Sequence, residues 1–215
     1  LTDEPLVGGK AANLGELLRA ELPVPDGFVV TAPAFLEAMD AAGVRRQLSD
    51  AVRDVDVDDD AVLEATSHRL QELVRRAGMP AALREEVDTG YAALSHGHPF
   101  AVAVRSSVTG EDSADASYAG MNETFTNVIG ASDLLARVVD CWASAYGPRV
   151  LAYRTSIGQV AEPAIAAVVA EDVQPIVCAA VGRGKEDVVL PDDGSAERPH
   201  SDDFRRARLR LAQRR

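Results

Sequence analysis

Cysteine and lysine are nearly missing from this 215-residue chain, aromatic side chains are sparse, and no apolar run is long. The two cysteines, Cys141 and Cys178, stand in dissimilar contexts. That excludes a metal-ligand spacing or a disulfide framework and predicts a reduced, cytoplasmic protein. No stretch approaches the roughly 20 apolar residues of a membrane span, and no charged-then-apolar leader stands at the N-terminus, so no membrane partner is expected. With aromatics at 5%, Ala, Val and Leu must fill the core. The net charge of −12 argues against a nucleic-acid partner. That charge is uneven: −11 over residues 1–160 and −1 over 161–215, with six Arg and no acid in the last eleven residues. Of the 22 basic residues only Lys10 and Lys185 are lysine, so a lysine directly after Gly8-Gly9 does not stand there through abundance.

The most informative stretch runs from Phe100 to Val128, FAVAVRSSVTGEDSADASYAGMNETFTNV. Phe100–Val104 reads as a buried strand. Arg105 ends that run, and Ser106–Gly120, with four Ser, one Thr, three carboxylates and two Gly, reads as a flexible hydroxyl-rich loop. Thr124–Val128 is β-branched and aromatic, the returning strand of a hairpin. An Arg at a strand end beside a Gly/Ser/Thr loop suits phosphate: the guanidinium is a forked donor, and small residues let backbone N–H groups approach the oxygens. The alternative is a solvated arginine or one paired with Glu111, Asp112 or Asp115.

In chain order, Val7-Gly8-Gly9-Lys10 leads into a helix whose Leu14, Leu17 and Leu18 share one face. Glycines and a lysine at a helix N-terminus form either an anion site or a plain tight turn. Phe28–Val30 is a short strand, and Thr31 caps a helix carrying Phe35, Leu36 and Met39. Val44, Leu48 and Val52 continue helically. Asp54–Asp60 is a solvated loop that lacks the Gly and terminal Glu of a calcium site. Ala61–Ala77 and a segment from Pro80 are amphipathic helices, the first stopped by Gly78. His96 and His98 lack a third metal ligand and read as loop residues. Ser132 is expected to cap a strongly amphipathic helix through Trp142 and Tyr146 that bends at Pro148 and resumes to Gly158. Ala164–Val169 is a further strand.

Two stretches carry a family resemblance. Ala103-Val104-Arg105-Ser106-Ser107, Glu111-Asp112, Ala116-Ser117-Tyr118-Ala119-Gly120, Thr124 and Asn127-Val128 resemble the nucleotide-loop signature of the pyruvate phosphate dikinase and phosphoenolpyruvate synthase family, which includes rifampicin phosphotransferases. Val7-Gly8-Gly9-Lys10, Ala12-Asn13-Leu14-Gly15-Glu16 and Val24–Thr31 resemble its N-terminal signature. The resemblance implies an α+β fold, the first lobe of an ATP-grasp nucleotide-binding domain with a helical N-terminal portion. It implies that Lys10 and Arg105 contact ATP phosphates, that Gly120 and Thr124 lie against the phosphate chain, and that Ser106, Ser107, Glu111 and Asp112 belong to the loop over the phosphates. In the family reaction the ATP β-phosphate passes through a histidine on another domain to pyruvate or, in some members, to rifampicin, an acceptor the residues do not specify. Magnesium is required there, but its ligands, like the histidine acceptor, find no match in this chain.

The resemblance covers roughly residues 6–169. Ser113-Ala114 replaces the family's Leu/Met-Pro, and beyond Val169 the expected Gln-x-Met, G-V-M-F-T and acidic elements are not found. If Ala170–Val173 is encoded GCA-GAG-GAT-GTN, reading one nucleotide later gives Gln-Arg-Met. That points to a frameshift or degraded gene, the alternative being a divergent tail. Residues 1–169 are therefore expected to form a partial nucleotide domain, and 170–215 an irregular, disordered tail. The expected function is ATP binding within an ATP-dependent phosphotransferase, this chain alone being inactive; the competing reading is a silent remnant or a small nucleotide- or partner-binding module.

Overall fold

The computed structural model describes residues 4–95, 98, 100–109, 123–158 and 163–172. In chain order these form α1 (Glu4–Arg19), β1 (Gly27–Val30), α2 (Ala32–Ala41), α3 (Arg45–Asp54), α4 (Asp60–Ala77), α5 (Ala81–Leu94), β2 (Ala101–Val108), β3 (Thr124–Ile129), α6 (Ala131–Ser144), α7 (Pro148–Ser156) and β4 (Ile165–Glu171). The strands make one antiparallel sheet in the order β1-β4-β2-β3. This is the expected α+β mixture.

β4 enters last and lies between β1 and β2, so its five consecutive residues Ile165–Val169 are all buried. A strand covered on both faces needs no polar alternation, which is why this one reads as an unbroken apolar run. On one face Val102, Val104, Val128, Ile165, Ala167 and Val169 join a core with Phe35, Met39, Leu134, Val138, Trp142 and Tyr146. The Phe35 and Trp142 rings meet at 5.6 Å, tilted by 56°. These two rings and Tyr146 are fully buried, so a few aromatics supply much of the apolar burial despite their scarcity.

In the same core, α4 packs on α6, with its Leu70, Leu73 and Val74 buried. Asp59 starts α4 by accepting from the Ala61 and Val62 N–H groups, satisfying two helix-end donors, so one aspartate of the acidic loop has a structural role. Ser67 Oγ donates to the Tyr146 carbonyl at 2.7 Å. Across the surface of α4 and α6, Asp140 accepts from both Arg75 and Arg137. On the other side, the Tyr91 hydroxyl donates to the Phe100 carbonyl at 2.7 Å and accepts from the Gly130 N–H at 2.8 Å. One phenol thus ties α5 to the start of β2 and to the β3–α6 turn.

Four local expectations are corrected. β2 does not end at Arg105 but continues to Val108, because Ser106–Val108 pair with Ile165–Ala167 of β4. The N-cap of α6 is Gly130, at φ 90°, and Ser132 lies inside the first turn. The leucines of α1 are not its buried face: Gly8, Gly9, Ala11 and Ala12 are buried, while Leu17 is 42% exposed. Small residues let the helix backbone sit close to the sheet, and that close approach turns Leu17 outward. The expected bend at Pro148 is a boundary between α6 and α7.

The irregular-tail expectation for 170–215 falls on residues outside the described ones, except at 170–172. There the Glu171 N–H donates to the Asp26 carbonyl and that of Asp172 to the Ala101 carbonyl. His96 also lies outside the described residues, and His98 is exposed. No described helix is long and apolar enough to cross a membrane.

Candidate functional site

Side chains alternate across a strand, so Ala103, Arg105 and Ser107 share the face of β2 opposite the aromatic core. Ser107 pairs with Ala166 and Arg105 with Val168, so this outer face is lined by small or β-branched residues around one guanidinium. Arg105 is exposed, and its guanidinium makes no hydrogen bond or ion pair with any described residue. Thr124, also exposed, stands directly opposite it on β3. Such cross-strand pairs hold their Cβ atoms about 5 Å apart, so the hydroxyl and the guanidinium border the same patch.

α1 lies on that face too. Gly8 turns the chain at φ 75°, ψ 168°, a backbone region essentially reserved for glycine, and the helix proper follows it. A Cβ on Gly8 would stand 2.4 Å from the Ser107 carbonyl oxygen and 2.4 Å from its Oγ. Three residues on, the Ala11 N–H donates to Ser107 Oγ at 3.4 Å. Lys10, half-buried, is bonded to that amide, which puts its Cα within about 6 Å of the Ser107 hydroxyl given standard backbone dimensions. Arg105 is two residues from Ser107 along the strand, about 7 Å. Lys10 and Arg105, distant in sequence, are thus carried by adjoining backbone on one face.

The hydroxyls of the expected phosphate loop have other duties. Ser106 and Ser107 are fully buried strand residues, which corrects their assignment to a loop. Ser106 Oγ donates to the Glu123 carbonyl at 3.3 Å and Thr109 Oγ1 to the Ala164 carbonyl at 3.2 Å. They secure the C-terminal end of β2. Gly120, Glu111 and Asp112 lie outside the described residues. The junction of Gly8 with Ser107 was not legible in the sequence; the only signal was a Gly-Gly pair before a helix, which also fits a plain turn. Arg154 was missed as well: on α7 it is 5% exposed, the one charged side chain among the buried described residues.

Cys141 on α6 is buried, and burial, reinforced by the charges of Glu123 and Asp140, pushes its thiol up to about 12. It is an inert core residue. No group of three or more His, Cys, Asp or Glu among the described residues could hold a metal ion.

The domain is an α+β mixture in which Arg105 and Thr124 share one sheet face and the backbone of the Lys10 turn lies beside Ser107 on that face. The family model described as pyruvate phosphate dikinase, AMP/ATP-binding domain, matches residues 4–182, and the chain belongs to this family. The matched span passes over residues 170–173, where the sequence reading placed its break. The chain is 44% identical over 158 residues to a probable phosphoenolpyruvate synthase of Archaeoglobus fulgidus, covering 73% of this chain and 21% of that protein. It is 38% identical over 165 residues to the phosphoenolpyruvate synthase of Aquifex aeolicus, covering 74% and 19%, and 35% identical over 191 residues to that of Pyrococcus furiosus, covering 73% and 23%. The chain spans about a fifth of the length of these curated relatives.

Proposed function

We propose that this chain is the first lobe of an ATP-grasp-type nucleotide domain and binds the polyphosphate of ATP on the outer face of its sheet. The observation that carries the reading is Arg105: an exposed guanidinium, without a described partner, opposite Thr124 and on the face occupied by the Lys10 turn. Arg105 offers two parallel donors to phosphate oxygens, Lys10 a compact positive charge, and Thr124 a neutral donor. Gly120, Glu111 and Asp112 belong, in this reading, to the loop that closes over the phosphates. Cations fixed around phosphoryl oxygens orient the nucleotide and offset the charge that develops on transfer.

In the longer proteins of the family this lobe would serve an ATP-dependent phosphotransfer, in which the β-phosphate passes through a histidine on another domain to pyruvate or a drug hydroxyl. The described residues hold neither a carboxylate cluster for magnesium nor a residue matching that histidine, so no transfer step is assigned to them. The chain alone is accordingly expected to bind ATP and release no AMP. Titration of the full chain with ATP, followed by competition with tripolyphosphate and with adenosine, tests this. Displacement by tripolyphosphate but not by adenosine supports a phosphate-dominated site. Absence of saturable ATP binding favours the silent-remnant reading, and AMP release that disappears in Arg105→Ala would show the chain to be active alone.

A further inference from the structure

We infer that Ser107 is a positioning residue: by accepting the Ala11 N–H, its hydroxyl fixes the Lys10 turn against β2 and sets where Lys10 stands relative to Arg105. The inference rests on the phosphate-site reading above and deepens it by naming what holds the two cations in register.

Three observations point to it. First, the hydroxyls at this end of β2 divide by partner. Ser106 and Thr109 donate to the carbonyls of Glu123 and Ala164, beside neighbouring strands, whereas Ser107 reaches a helix 96 residues away. Second, the contact is fully buried and tightly fitted, since Ser107 is 0% exposed and Gly8 has no room for a Cβ beside it. Third, the rest of the buried face of α1 is Gly9, Ala11 and Ala12. A surface of small side chains brings backbones close but has few knobs to set a register. A hydrogen bond is directional, so the Ser107 hydroxyl can supply the register those residues lack. An Ala11 N–H near the start of the helix has no intrahelical acceptor of its own, and Ser107 provides one from across the fold. Lys10 is covalently next to that amide. Any slide of the turn therefore moves the ammonium relative to a guanidinium held by the sheet.

The test is ATP affinity of the full chain in a double-mutant cycle, with amide hydrogen exchange at Ala11 measured in parallel without nucleotide. Ser107→Ala should weaken ATP binding by roughly 5- to 10-fold, the scale of one interaction lost. The same change in a Lys10→Ala background should weaken it little, because the position of an absent ammonium cannot matter. Exchange at Ala11 should speed up in Ser107→Ala. Equal weakening in both backgrounds would mean a general structural role and overturns the inference. So does unchanged affinity in Ser107→Ala while Arg105→Ala and Lys10→Ala both bind weakly, an outcome that leaves the phosphate site standing. Failure of the unaltered chain to bind ATP overturns the phosphate reading and with it the role given to Lys10, while unchanged Ala11 exchange overturns the junction whatever the nucleotide does. Should Ser107→Ala fail to fold, Ser107→Cys keeps most of the volume with a weaker acceptor and is read in the same way.

Discussion

Gly8 and Ser107 meet so closely that no side chain fits between them: a Cβ on Gly8 would lie 2.4 Å from the Ser107 carbonyl oxygen. Through this contact the N-terminal helix acquires its place on the sheet. Gly8→Ala is expected to destabilise the chain by about 2–5 kcal/mol, combining a disfavoured positive φ with overpacking. Gly15, in the same helix, has nothing within 4 Å of its Cβ position. Gly15→Ala should therefore be neutral or stabilising by up to about 1 kcal/mol. Urea unfolding of both variants checks the contrast, and similar losses in the two would contradict it.

Tyr91→Phe removes one oxygen that serves the Phe100 carbonyl and the Gly130 N–H. Both groups are left without that partner, at an expected cost of about 1–3 kcal/mol. Because the two contacts join α5, β2 and the β3–α6 turn, amide exchange should rise at Gly130 as well as beside residue 91. A variant as stable as the parent would show that water replaces the phenol.

The long amphipathic helices were legible because their cores repeat at helical spacing over several turns: Leu63, Leu70, Leu73 and Val74 in α4, and Leu134, Val138 and Trp142 in α6 are all buried. The β2–β3 hairpin was legible for the same local reason, since its strands are neighbours in sequence. What could not be read depended on distant chain. Ser106 and Ser107 look like loop residues until β4 arrives to pair with them, and hydroxyl-rich sequence alone does not separate a loop from a strand end. The leucines of α1 satisfied the periodicity rule, yet the face chosen was the one that allows backbone contact with the sheet. At the site, Lys10, Arg105 and Thr124 were named from sequence, while the Ser107–Ala11 bond that relates two of them has no local signature.

Cys141 gives a pH signature. Its thiol is held up to about 12 in the folded chain against an ordinary value of 9.0, through burial first and nearby carboxylates second. The unfolded chain loses this proton near pH 9 while the folded chain keeps it to about 12. Its contribution to stability is therefore complete below pH 9 and declines as pH rises through that window. Cys141→Ala should flatten the alkaline limb of the stability profile, at the cost of a small cavity. A thiol-reactive dye should leave Cys141 unlabelled at pH 8 until denaturant is added, and rapid labelling of the native chain at this position would contradict its burial.

We propose above that Arg105 holds the polyphosphate of ATP on the sheet face that also carries the Lys10 turn. Equilibrium titration of ATP into the unaltered chain and into Arg105→Ala, at two salt concentrations, tests it most directly. Binding in the variant should be at least about tenfold weaker, the scale of a charge-assisted contact, with a shallower salt dependence. Equal affinity and equal salt dependence in the two proteins would contradict it.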